Sequence, residues 1–243
     1  MEAVGIILIA LVVVTLLVAG LVLAYRAEMA KRAALQAVAD ARGWRYDHAR
    51  DRSLASRLAH FSPFARGQNR YAQHTLSGTL DISGRPFRIW TGEFHYQVTR
   101  SNGKSTSTSH YFFSYAVLEL PFEAVPEMSL RTEHLFDKLT QAMGFEDIDF
   151  ESAEFSRRFR VKGADKRFVY DVVNPEMMSF LLSAFPCPIE IERGRFLLSD
   201  GTTRWKPDQY PGMVDWAIRF FELWPRHVLH ALDDARAGSP HTC

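Results

Sequence analysis

Apolar residues run from Val4 to Tyr25 (VGIILIALVVVTLLVAGLVLAY) without a charge, and Arg26, Lys31 and Arg32 follow at once. At ~1.5 Å rise per residue this run reaches about 33 Å, enough to cross a ~30 Å hydrocarbon core, where only a helix satisfies its own backbone. A cleaved signal peptide would have a basic leader and a shorter apolar stretch, whereas Glu2 is the only charged side chain ahead of this one. Residues 1–25 are therefore read as a permanent transmembrane anchor.

Beyond the span the pattern is that of strong helix formers. Ala27 to Arg42 (AEMAKRAALQAVADAR) ends at Gly43, a good residue for leaving a helix, so the span is expected to continue as a stalk. Its weak apolar face, Ala30, Ala34, Ala37, Val38 and Ala41, would pack on the domain or on a second copy of the chain. A short helix around Leu54 to His60 and a turn-rich stretch from Ser62 to Gly67 lead onward. This gives a juxtamembrane helical stalk over 26–66 and a main domain over 67–243.

In the main domain the period shortens to two. Leu76, Leu80 and Ile82 alternate with Gln73, Thr75, Ser77, Thr79 and Asp81, as in a strand with one wet face, and Ser83-Gly84-Arg85 turns the chain. From Phe87 to Val98 the apolar set changes phase, Phe87 and Ile89 giving way to Trp90, Phe94, Tyr96 and Val98. That switch predicts a bulge near Gly92. Arg100 to Ser109 reads as a flexible polar loop, and Tyr111 to Leu120, apolar on both faces, as a central strand. Three strands with short links suggest an antiparallel meander.

The second half alternates strand and helix signals. Short strands are expected over Phe145 to Phe150 and Phe159 to Val161, with a helix from Gly163-Ala164-Asp165 to Val173. Asn174 and Pro175 form an N-cap and first helical residue, followed by a stripe of Met177, Met178, Leu181, Leu182 and Phe185. Ile189 to Glu192, Arg193-Gly194 and Arg195 to Leu198 spell a hairpin. Pro211 to Ala235 carries Met213, Trp216, Ala217, Phe220 and Trp224 inward and Asp215, Arg219, Glu222 and Arg226 outward, with Pro225 kinking the helix or opening a new one. The class is α+β: an N-terminal transmembrane helix, then a domain with a mainly antiparallel sheet and packed helices.

Charge adds an orientation. Arg26, Lys31, Arg32, Arg42, Arg45 and Arg50 outnumber Glu28, Asp40 and Asp47 just after the span, which by the positive-inside rule keeps the C-terminal domain cytoplasmic at the cell membrane. A net charge of +1 gives no global bias toward nucleic acid. Cys187 and Cys243 are too few for a disulfide framework, and Gly20-x-x-x-Ala24 is a small-residue pair that permits close helix approach.

Candidate chemistry is sparse. Asn102-Gly103-Lys104-Ser105-Thr106 imitates the end of a phosphate-binding loop, but Val98 stands where the motif needs its first Gly. His227 and His230 lie one helical turn apart, without a Cys or carboxylate at a recognised metal spacing. Cys187 between Pro186 and Pro188 reads as an inert buried thiol. The most tempting patch is the acidic group Glu146, Asp147, Asp149, Glu151 and Glu154 followed by Arg157, Arg158, Arg160 and Lys162, since paired carboxylates bind Mg²⁺ or share acid/base work. Its spacing matches no established loop, and adjacent opposite charges are usually solvated and paired. No residue is assigned a catalytic, cofactor-binding or metal-binding role, and no cofactor is expected.

The strings RGW (Arg42 to Trp44), SPFARG (Ser62 to Gly67), DIDFESAEFSRRFRV (Asp147 to Val161) and YDVVNPEMMSFLL (Tyr170 to Leu182) resemble those of a bacterial, mostly actinobacterial, family of single-span membrane proteins with a domain of unknown function. The resemblance covers most of the chain. It is most specific over ES-x-EF-x-RRF and the following N-P-x-MM helix, with Ser156 where that family usually has Asn. It implies a membrane-tethered domain and supplies no catalytic residues.

The expectation is a membrane-tethered, non-enzymatic interaction or scaffold module at the cytoplasmic face. Its partners would be another membrane or membrane-associated protein, anionic headgroups or a second copy of itself, and not nucleic acid. The alternative is an enzyme with an unfamiliar site in segment 146–162, around Glu151, Glu154, Arg157 and Arg158.

Overall fold

A computed structural model of the chain describes residues 2–132 and 145–237. The span and the stalk helix are one continuous helix, α1 (Glu2–Ala41). It stops in a Schellman motif, in which Trp44 N–H reaches the Ala39 carbonyl at 2.8 Å while Gly43 takes the left-handed conformation at φ 65°.

An eight-stranded antiparallel sheet follows, in the order β1-β2-β3-β4-β8-β7-β5-β6. Its strands are β1 (Arg45–Asp47), β2 (Gln68–Ile82), β3 (Arg85–Ser101), β4 (Thr106–Glu119), β5 (Met128–Thr132), β6 (Phe159–Gly163), β7 (Ile189–Glu192) and β8 (Arg195–Leu198). The helices are α2 (Arg52–Arg57), α3 (Ser62–Ala65), α4 (Ala153–Arg158), α5 (Lys166–Val172), α6 (Pro175–Ser183), α7 (Tyr210–Glu222) and α8 (Arg226–Ala237). The meander β2-β3-β4, the β7-β8 hairpin and the break at Pro225 agree with the pattern of apolar positions. Asn174 caps α6, accepting from Met177 N–H at 3.0 Å.

The sheet is covered on both faces, and this corrects the reading of Gly92. β3 and β4 pair without interruption from Arg88↔Glu119 to Ser101↔Thr106, so β3 has no bulge. Its apolar residues change phase because the two faces are buried at different places. Phe87 and Ile89 join a core with α1, α5, α6, α7 and α8, whereas Phe94 and Tyr96 join a second core on the other face with α2 and α3. In that second core Phe64 lies with ring centroids 4.6, 5.4 and 5.2 Å from Phe94, Phe113 and Tyr115. The extra residue belongs to β2, where the register slips between Gln73 and Leu76 directly opposite Gly92.

Three further expectations differ. Residues 45–66, expected with the stalk, supply β1 and the helices α2 and α3 that bury the second core. The Arg100 to Ser109 loop is mostly strand, and only residues 102–105 turn, with Asn102 Oδ1 accepting from the N–H groups of Lys104 and Ser105. Cross-strand pairing orders this polar stretch without burial. Phe145 to Phe150 forms no strand beyond a single bridge between Asp147 and Lys162.

Candidate functional site

A carboxylate buried among partly exposed cations lies where α1 meets the sheet. The face of α1 that docks shares only Val38 with the expected one: Leu35 and Ala39 are buried with Val38 packed beside them, flanked on the N-terminal side by Glu28, Lys31 and Arg32, while Ala30, Ala34, Ala37 and Ala41 stay exposed. Leucine buries more apolar surface than alanine, and ion pairing fixes the rotation of the helix about its axis.

Glu93 is the centre of this junction. It projects from β3 on the same face as Phe87 and Ile89, and its side chain is 1% exposed. Lys31 Nζ donates to Oε1 at 2.6 Å, Gln73 Nε2 donates to Oε2 at 3.2 Å, and Arg204 Nη2 donates to the two oxygens at 3.1 and 3.0 Å. Burial alone would raise the Glu93 pKa, but Lys31 and Arg204 outweigh it and hold the carboxyl below the usual range.

Arg204 is itself held in place. Asp200 Oδ1 accepts from the N–H groups of Thr202 and Thr203, the Thr203 carbonyl accepts from Ser114 N–H at 2.8 Å, and Trp205 N–H donates to Ser114 Oγ at 2.9 Å. Pinned on both sides to β4, the guanidinium lies 4.9 Å from the Phe112 ring centre and reaches Glu93.

The β2 bulge completes the junction. His74 sits there at φ 51°, and Gly92 opposite leaves room for it, since a Cβ at Gly92 would lie 2.9 Å from the His74 carbonyl oxygen. Tyr46 OH lies 2.7 Å from His74 Nδ1, and His74 Nε2 lies 3.3 Å from Glu28 Oε1. The neutral ring fits this with its proton on Nε2, donating to Glu28 and accepting from Tyr46. Burial and then Lys31 lower the His74 pKa, and burial pushes the Tyr46 phenol up to about 12. Two residues along β3, buried His95 places Nδ1 3.1 Å from the Asn69 carbonyl oxygen and Nε2 2.9 Å from His110.

Acidification acts on this junction with one sign. Unfolded His74 titrates near 6.5 and the folded ring lower, so in between only the unfolded chain binds the proton, and stability falls as pH drops below 6.5. The Glu93 contribution is present above 4.5 and is lost as pH falls through its depressed folded value. The melting midpoint of the full chain in detergent should decline from about pH 6.5 downward. His74→Asn, which tolerates the left-handed backbone, should flatten the upper part of that decline. An unchanged profile would remove His74 from the account.

The charged segment 146–162 is built differently. Ser152 caps α4, accepting from Phe155 N–H at 3.3 Å, and Phe155 and Phe159 are buried. Ser156 Oγ closes the loop onto the N–H and carbonyl of Phe150. Glu146 pairs with Lys166 at 3.4 Å and Asp147 with Lys162 at 3.5 Å, while Asp149, Glu151 and Glu154 are exposed. Arg157, Arg158 and Arg160 donate to the carbonyls of Ala153, Leu182 and Ser156. The carboxylates do not converge, and the signature ES-x-EF-x-RRF forms a capped helical turn with two buried phenylalanines.

His227 Nε2 lies 3.4 Å from Asp171 in a surface groove of about 410 Å³ between α5 and α8. No group of three potential metal ligands occurs among the described residues. Cys187 is buried, which pushes its thiol pKa well up, and Cys243 lies outside the described residues.

No family model matches the chain, and no curated protein matches it. Among solved structures it is similar to the mycobacterial trehalose monomycolate transport factor A, with a TM-score of 0.55 and 12% identity over 80% of this chain and 96% of that one. The likeness is one of fold. It supports an α+β architecture beside an N-terminal apolar helix long enough to cross a membrane.

Proposed function

We propose that this chain is a membrane-tethered, non-enzymatic interaction or scaffold module whose domain sits at the cytoplasmic face. The observation that carries the reading is the buried Glu93 joined to Lys31 of the anchor helix and Arg204 of the C-terminal part. This ties the anchor, the sheet and the segment before α7 together, so the domain is held at a fixed height and orientation rather than on a flexible leash. Such a build suits presentation of a surface to a neighbour in the membrane.

The basic excess after the span supports the cytoplasmic side. The likeness to a transport factor, together with the resemblance to single-span actinobacterial proteins, favours a supporting role beside a membrane transport assembly. The partner is another membrane or membrane-associated protein, met through the uncovered alanine face of α1, or a second copy meeting the same face. Anionic headgroups contribute through the juxtamembrane bases.

Photo-crosslinking residues at Ala34 and Ala37 should give discrete membrane-protein adducts, of twice the chain mass if the partner is a second copy. Positions Asp149 and Glu151 should give none; adducts independent of position would defeat the proposal. A Ser83→Cys, Cys243→Ser variant should react with an impermeant maleimide only after cells are opened. Reaction in intact cells would place the domain outside.

A further inference from the structure

We propose that the β3–β4 hairpin is a second membrane contact, its tip seated among anionic lipid headgroups. This rests on reading α1 as the anchor. The direction of the hairpin follows from two contacts of α1 and its continuation: Glu28 meets His74, and the Trp44 ring packs on Gly78. β2 therefore runs away from the membrane in the same sense as α1, and β3, antiparallel to it, runs back. At Glu93 it is level with Lys31, and it continues past that level to Ser101 before β4 returns from Thr106.

Its reach is sufficient. From Lys31 to Tyr25, the membrane end of the stalk, the helix rises about 9 Å. From Glu93 to the tip the strand extends about 30 Å. The tip thus attains the level of Tyr25 at any angle between strand and helix up to about 70°.

Its chemistry fits the headgroup layer. From Val98 to Phe112 there is no acidic residue, and the tip carries Arg100 and Lys104 among exposed serines, threonines and an asparagine. Neither cation has an ion-pair partner among the described residues. Tyr111, 41% exposed, stacks on Tyr96 at 5.0 Å, and outside α1 only it and Tyr170 are exposed large apolar side chains among the described residues. Tyrosine is at home at a membrane interface. Cross-strand pairing to Ser101↔Thr106, the Asn102 turn and a 3.1 Å contact between the Thr99 and Thr108 hydroxyls keep the arm formed to its end.

Each basic side chain at an anionic surface is worth roughly fivefold in the docking equilibrium, so the pair gives about twenty-five-fold. The test uses the full chain with Cys243→Ser, carrying a fluorophore at Ser105→Cys or, as the control at the far end of β2, at Ser83→Cys. Each is reconstituted in vesicles of phosphatidylcholine, alone or mixed with phosphatidylglycerol, containing headgroup-labelled quencher lipid. Quenching at position 105 should exceed that at 83 several-fold with phosphatidylglycerol present, and R100E/K104E should bring it down to the control. Equal quenching at both positions, or no response to charge reversal, overturns the proposal, as would a tip protected only by an added acidic protein. Flotation with the vesicles is read separately: a chain that does not float loses the anchor reading, and one that floats with a dry tip loses only the second contact.

Discussion

Replacing Glu93 by alanine is expected to destabilise the domain by about 3 kcal/mol, because breaking a buried ion pair leaves its partners uncompensated. Two facts set the magnitude. Glu93 is itself inaccessible, so all the hydrogen bonds it accepts are lost together, yet Lys31 is 18% exposed and Arg204 50%, so both cations recover some water. The figure therefore lies at the low end of the 3–5 kcal/mol typical of such losses. For a domain of this size it corresponds to a fall of roughly 6–12 °C in melting midpoint. Lys31→Ala should cost less, since Arg204 still neutralises the carboxylate, and Arg204→Ala least, since that side chain is half solvated. Melts of the full chain in detergent give the order directly. A Glu93→Ala midpoint within 2 °C of the parent, about 1 kcal/mol or less, would mean that the helix is not locked to the sheet through this carboxylate.

The local elements were legible because short-range chemistry sets them. The Asn174-Pro175 cap, the Arg193-Gly194 hairpin and the break at Pro225 each depend on a few adjacent residues, and each stands where the sequence puts it. The junction was not legible, because Glu93 lies 62 residues from Lys31 and 111 from Arg204. One signal was present: in the face Phe87, Ile89, Thr91, Glu93, His95 a charged residue continues an otherwise buried alternation, and a carboxylate there needs cations brought from elsewhere. The reading of Gly92 went astray for a related reason. A change of apolar phase signals a bulge when one face of a sheet is dry, but here both faces are dry at different heights, and phase alone cannot separate the two. The charged segment misled in the opposite way, since local density of carboxylates says nothing about whether they converge.

The second large effect is expected at Gly78, where one methyl group should cost several kcal/mol. A Cβ built there would lie 2.1 Å from Trp44 Cδ1 and 2.6 Å from Nε1, so the indole lies against the strand with no room between. Trp44 is 7% exposed and follows directly on the Schellman turn that ends α1, so it has little freedom to retreat without disturbing the exit of the helix. Gly78→Ala must either expel the ring or move β2, which is fixed by pairing with both β1 and β3. Expelling the indole forfeits about as much as deleting a buried tryptophan, roughly 3–5 kcal/mol. The decisive comparison is a double-mutant cycle. Trp44→Ala alone should cost a similar amount, but in its background Gly78→Ala should be nearly neutral, because the contact that made it costly is gone and alanine suits a strand better than glycine. The two losses would then fall short of additivity by about 3 kcal/mol. Full additivity in detergent melts would show that Trp44 yields freely. Alignment of the anchor with the sheet would then rest on the contacts below Trp44, among them Glu93 with Lys31, Glu28 with His74 and the buried Leu35 and Ala39.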